Sequence, residues 1–232
     1  MSNAVPREFR GYPVMERRFA IGERQYELLG PANFEELIDD PRVVSRFERD
    51  EYLPYWAEFW PACLLLCDEI AAWPPASVDR PAAVLEFGCG LGLPSLVAAS
   101  RGYRVIASDY DEDALAFVAL SFARNGLPAP ELRFVDWRET YPGLVLDAIV
   151  AAEVLYERRS VEPIARFIAG HLAPHGVALL VDGRRQTADA FPRQAAACGL
   201  RVEASERERP GPDGRPIRGR VFRVTKSCEA LI

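Results

Sequence analysis

Between positions 84 and 94 the chain reads V-L-E-F-G-C-G-L-G-L-P, followed by the helical pattern S-L-V-A-A-S. Val84, Leu85 and Phe87 make a short apolar run that carries the acid Glu86, and Gly88, Gly90 and Gly92 then alternate. Pro94 fits the first turn of a helix, where a proline gives up no hydrogen bond. Strand, glycine loop and helix in immediate succession restrict the chain to α/β folds. There a tight turn lets a ligand approach bare backbone at a helix N-terminus.

The spacing narrows the ligand. A dinucleotide fingerprint starting at Gly88 would need a third glycine where Leu93 stands. The pattern is acid-x-G-x-G-x-G, and an acid at the strand end repels a pyrophosphate. Glu86 suits a ligand with a positive end, such as the amino group and sulfonium of S-adenosylmethionine. The next apolar strand, R-V-I-A-S-D, ends at Asp109 and is followed by Tyr110. Asp109 lies about twenty residues past the first acid, the interval expected of a ribose-binding carboxylate. Both Asp109 and Tyr110 are assigned to the cofactor, and Asp111 or Asp113 is expected to cap the helix that follows.

Strands are expected at 83–87, 104–108, 132–135, 148–152, 177–181 and 201–204. Helices at 95–101, 112–125, 161–171 and 188–198 separate most of them. Such alternation predicts a parallel sheet with right-handed crossovers. After Cys198 the pattern becomes strand, the loop R-P-G-P-D-G-R-P, and the strand R-V-F-R-V, which predicts an antiparallel hairpin. The expected fold is α/β: a doubly wound, mostly parallel seven-stranded sheet with an antiparallel C-terminal hairpin strand. Residues 1–51 form an N-terminal extension, in which R-R-F-A-I and Q-Y-E-L-L pair as strands and F-E-E-L-I makes a short helix. Residues 52–232 form the main domain.

Composition excludes several classes. The 232 residues are 49% hydrophobic, enough for a sizeable core, and the formal charge of −6 gives no support to general nucleic-acid binding. No apolar run has the length of a membrane span, and the N-terminus lacks a signal-peptide layout. Cys63, Cys67, Cys89, Cys198 and Cys228 include no C-x-x-C pair, so reduced thiols in the cytoplasm are expected. His171 and His175 sit in a helix end and strand start, which argues against a zinc site or a histidine hydrolase.

Three further segments carry chemistry. F-V-D-W ends the third strand; Asp136 can accept from an adenine amine, and Trp137 offers a stacking face. The fourth strand ends in Ala152 and Glu153, with Tyr156 three residues on, where a transferred methyl should lie. L-P-Y-W-A-E-F-W-P-A crowds Tyr55, Trp56, Phe59 and Trp60 into a lid or groove wall. The basic stretch 207–220 reads as a solvated hairpin tip, or as a dock for an acidic partner.

Together P-Y-W-A-x-x-W-P, E-F-G-C-G-L-G, D-W and acid-V-L-Y-E resemble the family-16 protein-lysine methyltransferases, nearest the branch that modifies the β-subunit of electron-transfer flavoprotein. The likeness runs from about Tyr52 to Val224. It implies that Trp60, the loop from Gly88 to Gly92, Asp109, Trp137 and Ala152 contact S-adenosylmethionine, and that Glu153 and Tyr156 face the acceptor amine. Many relatives carry Asp in the acid-x-x-Tyr element, and Glu153 is one methylene longer. The function so implied is S-adenosylmethionine-dependent N-methylation of a lysine in a protein substrate; a monomer is expected, and the composition points to neither a membrane nor a nucleic-acid partner. A small-molecule amine methyltransferase and a non-catalytic cofactor-binding module are the alternatives. A base- or amide-directed nucleic-acid enzyme would carry an N-P-P-Y type of motif after the fourth strand, and none is there.

Overall fold

The computed structural model describes residues 5–50, 53–77, 79 and 81–227. Cys228 and the expected domain start at Tyr52 lie outside the described residues. No helix among the described residues is long and apolar enough to cross a membrane.

The chain opens with β1 (Glu8–Phe9), β2 (Tyr12–Ile21) and β3 (Arg24–Pro31), an antiparallel three-stranded sheet. The expected strand pair is there and is longer, with Ile21 opposite Arg24 across the turn. Two short helices follow, α1 (Phe34–Ile38) and α2 (Pro41–Asp50). A single 3-10 turn at Tyr55–Ala57 leads into α3 (Cys63–Ala71).

The α/β unit then runs β4 (Ala83–Phe87), α4 (Leu93–Ser100), β5 (Arg104–Ser108), α5 (Glu112–Arg124), β6 (Glu131–Arg133), β7 (Leu146–Ala152), α6 (Arg158–His171), β8 (Leu172–Asp182), α7 (Phe191–Ala197), β9 (Leu200–Pro210) and β10 (Pro216–Lys226). A seven-stranded sheet results, in the order β6-β5-β4-β7-β8-β10-β9. Strands β4 to β8 are mutually parallel, and β10 runs antiparallel to both its neighbours. Strand order reverses at β4, so the crevice beyond the C-terminal ends of β4 and β7 is where ligands bind in such sheets.

Every side chain of β4 is buried, as expected for a central parallel strand covered on both faces. The period of two sends Val84, Val150, Leu179 and Val221 to one face, against α3, α4, α5 and the N-terminal sheet. Leu85, Phe87, Ile149, Ala151, Leu180 and Phe222 face the other way, with the apolar sides of α6 and α7. Each of these side chains other than Ala151 contributes about 1.5–3 kcal/mol of burial free energy.

Three expectations need correction. The third strand, expected over 132–135, ends at Arg133, so F-V-D-W lies in the loop beyond it. The hairpin strands reach Pro210 and Pro216, so the expected loop shrinks to 211–215. In consequence most of the basic stretch is strand, and its arginines are paired within the molecule: Arg207 with Glu69, Arg209 with Asp68, Arg218 with Glu208 and Arg220 with Asp189.

Candidate active site

A cavity of about 620 Å³ opens at the strand-order reversal. Its floor is the glycine loop. Gly88, Gly90 and Gly92 all adopt positive φ, and Gly92 is the N-cap of α4. Gly92 is the tightest, since at φ +76° a Cβ would stand 2.8 Å from Val118 Cγ2, whereas at Gly90, φ +51°, a Cβ would stand 3.2 Å from the carbonyl oxygen of Trp56. A side chain there would meet strain and backbone together.

Glu86 is 2% exposed. Its Oε2 accepts from the Ser95 backbone N–H at 2.8 Å and from Ser95 Oγ at 2.5 Å, which ties the strand end to the first turn of α4. Burial outweighs these bonds and pushes its carboxyl up to about 8. Asp109 Oδ2 accepts from Gly90 N–H at 2.8 Å and its Oδ1 from Asp111 N–H at 3.1 Å. Burial likewise dominates there, raising its pKa to about 6. Asp111 is the capping residue of α5, accepting from Asp113 N–H at 2.8 Å.

Along the side of the cavity, Tyr110 is half exposed and packs on Phe134 with ring centroids 5.3 Å apart. Trp137 packs on Phe87 at 5.8 Å. Asp136 differs from the free acceptor expected. Arg138 Nε reaches both of its carboxylate oxygens, at 2.9 and 3.0 Å, and Nη2 reaches Oδ2 at 2.6 Å. The Arg138 hydrogen bonds hold its carboxyl below the usual range. An adenine amine would have to share these oxygens with a guanidinium. The loop is fixed from behind by Tyr141, whose hydroxyl accepts from Asp136 N–H at 2.8 Å.

A further wall comes from the end of β7 and the aromatic segment. Ala152 ends β7, and Glu153 follows in the left-handed region at φ +61°. Tyr156 is partly exposed, meets Tyr55 edge to face at 5.9 Å, and has its phenol pushed up by burial. Trp60 donates from Nε1 to the Tyr55 carbonyl at 3.0 Å. The expected aromatic wall is divided. Tyr55 and Trp60 line the opening, Phe59 also stacks on Phe19 at 4.5 Å, and Trp56 lies buried beneath the glycine loop against Phe117.

Glu86, the three glycines, Asp109, Tyr110, Asp136, Trp137, Ala152, Glu153, Tyr156 and Trp60 therefore border one cavity. The reading from sequence missed Arg185, which forms an ion pair with Glu153 and lies with its guanidinium carbon 5.6 Å from the Trp60 ring centroid. Its signal was the G-R-R following β8, at the same sheet edge as the other strand ends. Ser95 and Arg138, the partners of Glu86 and Asp136, were also missed.

The cradle fits S-adenosylmethionine. Glycine backbone at the N-terminus of α4, two buried carboxyls suited to a cationic ligand, and the aromatic rings of Tyr110, Trp137 and Trp60 all border the one cavity. Fold and site define a mostly parallel, Rossmann-like methyltransferase whose cofactor is S-adenosylmethionine. The chain belongs to the methyltransferase-domain family, whose model matches residues 60–209.

Among curated proteins it resembles the histone-arginine methyltransferase METTL23 of Xenopus laevis, 28% identical over 158 residues, covering 64% of each chain. The METTL23 of Rattus norvegicus is 29% identical over 132 residues, covering 54% of this chain and 58% of that one. The chain thus spans 58–64% of the length of these relatives. Two solved structures share the fold. A TehB-like S-adenosylmethionine-dependent methyltransferase from Corynebacterium glutamicum has a TM-score of 0.53 and 18% identity over 84% of this chain and 100% of that one. A ribosomal protein L11 methylase from Lactobacillus delbrueckii subsp. bulgaricus has a TM-score of 0.55 and 15% identity over 72% and 79%.

Proposed function

We propose that this chain transfers a methyl group from S-adenosylmethionine to a basic side-chain nitrogen of a protein. The observation that carries this reading is the wall beyond the end of β7, where Glu153, Tyr156, Tyr55 and Trp60 border the cavity together. A carboxylate among aromatic faces receives a cationic side chain, and aromatic surroundings favour the neutral nitrogen that has a lone pair to give.

The bound cofactor would supply an electrophilic methyl. Glu86 and Asp109 would hold its positive and ribose ends, with the loop from Gly88 to Gly92 beneath and Trp137 alongside. Glu153 would dock and orient the acceptor nitrogen, and the proton would leave to that carboxylate or to water. Little further acid–base work is required, so positioning and exclusion of water dominate.

Lysine is the acceptor implied by the resemblance to the family-16 enzymes. A specific observation favours arginine as a second reading: Glu153 and Trp60 already hold a guanidinium, that of Arg185, and the similar METTL23 proteins are named for histone arginine. The free thiols of Cys63, Cys67, Cys89 and Cys198 support a reducing compartment, the cytoplasm.

The deciding experiment is transfer of labelled methyl from S-adenosylmethionine into a soluble extract, with Glu153→Gln as control. A discrete labelled protein, lost in the variant, is expected, and mass spectrometry of that protein reads lysine against arginine. Label confined to small molecules would replace the reading with a free-amine methyltransferase. Cofactor binding with no label anywhere would replace it with a binding module.

A further inference from the structure

Glu153 and Arg185 lie just beyond the ends of the adjacent parallel strands β7 and β8, and the backbone around both is shaped for their meeting. Glu153 sits at φ +61° and Arg184 at φ +70°, conformations that non-glycine residues rarely adopt. Glu153 N–H donates to the Val181 carbonyl at 2.8 Å, which holds the turn against β8. Gly183 leaves the space for the carboxylate, because a Cβ there would stand 2.9 Å from Glu153 Oε1.

Arg185 completes the arrangement. Its guanidinium pairs with Glu153, lies near the face of Trp60, and reaches Asp182 Oδ2 at 3.4 Å. Its backbone N–H is fixed separately, donating to Asp182 Oδ1 at 2.6 Å. A carboxylate edge and an indole face around one guanidinium is how proteins receive a basic side chain. These are the groups that the proposed function assigns to the acceptor.

We propose that Arg185 occupies the acceptor's cation seat, and that a substrate's basic side chain enters by displacing it. Arg185 then falls back on Asp182, which it already touches. Its backbone anchor does not need to move. The inference rests on the methyltransferase reading for the identity of the incoming group. Arg185 is on this account a specificity-determining residue: only an acceptor bringing its own cation, together with further contacts elsewhere, competes with an intramolecular guanidinium.

The test uses methylguanidinium and methylammonium as probes, titrated by calorimetry into the wild type, Arg185→Ala, Arg185→Gln and Arg185→Ala combined with Glu153→Gln. Both single variants are expected to bind at least one probe about tenfold or more tighter than the wild type, because the seat is no longer self-occupied. Adding Glu153→Gln should remove the gain. Equal affinities in the wild type and both single variants, or a gain that survives Glu153→Gln, would overturn the proposal. So would failure of both single variants to fold, since a side chain that must be displaced cannot be a required strut. Cofactor binding and labelled transfer by the wild type are measured in parallel. A demonstrated seat without transfer to protein would sink the protein-methylation reading and leave the seat standing. Transfer without a seat would do the reverse.

Discussion

The Gly90 N–H donates to Asp109 Oδ2 at 2.8 Å, so the acid that follows β5 also sets the shape of the glycine loop after β4. Asp109 thereby joins the two halves of the cofactor floor. Asp109→Ala is expected to weaken S-adenosylmethionine binding about tenfold or more, through loss of a charge-assisted acceptor and of the loop strut. Asp109→Asn keeps an acceptor for Gly90 and should fall between. Calorimetry checks both; unchanged affinity in Asp109→Ala would remove this residue from the site.

Glu86 and Asp109 give the site a pH dependence with a definite sign. Burial raises them to about 8 and about 6. A cationic ligand favours their ionised forms, so affinity should rise as pH goes from about 6 to about 8, with protons released on binding. The free protein should behave oppositely. Its folded state keeps the Glu86 proton where the unfolded chain has lost it, so stability declines as pH rises from the ordinary 4.5 towards 8. Glu86→Gln should flatten the upper part of both trends. Calorimetry in buffers of different ionisation enthalpy and melting curves across this range test the pair of slopes together.

Glu153 borders the cavity beyond the last residue of β7, and its carboxylate pairs with Arg185 rather than with the glycine loop or Asp109. Glu153→Gln should therefore leave S-adenosylmethionine affinity nearly intact while lowering methyl transfer. If the variant instead fails to bind cofactor, the division between cofactor and acceptor walls is wrong, and the left-handed turn at Glu153 supports the whole crevice.

The legible parts of the fold share one physical property. Strands β4 and β5 fall at the expected residues because they are short, mainly apolar runs with nearly every side chain buried. The hairpin β9–β10 was underestimated because its outer halves carry alternating charges, such as Arg218 paired with Glu208, and show no apolar period. β1 spans two residues, too few for any period to register. In the site, the groups borne by strand ends and the glycine loop were legible from spacing. Arg185 was not, since its meeting with Glu153 exists only once β7 and β8 lie side by side. Arg138 was overlooked for a different reason: a neighbour two residues away can either bind Asp136 or point to water, and spacing does not choose.

The N-terminal sheet is bound to the α/β unit by buried polar contacts as well as apolar ones, and one of them isolates its contribution. The Leu29 backbone N–H of β3 donates to Ser121 Oγ on α5 at 3.0 Å, with both residues buried. Neighbouring contacts reinforce it: Asn125 Oδ1 accepts from Glu27 N–H at 3.0 Å, and Arg124 pairs with Glu16 at 2.8 Å. Ser121→Ala leaves the Leu29 N–H without that acceptor, which costs about 1–3 kcal/mol. The variant should unfold at lower denaturant in a single transition that includes the rest of the domain. Trp56 lies in the same core as Leu28 and Leu29 and carries the carbonyl that approaches Gly90, so cofactor affinity should decline along with stability. An early separate transition, with cofactor binding unaltered, would show instead that the three-stranded sheet folds and unfolds without reference to the floor of the site.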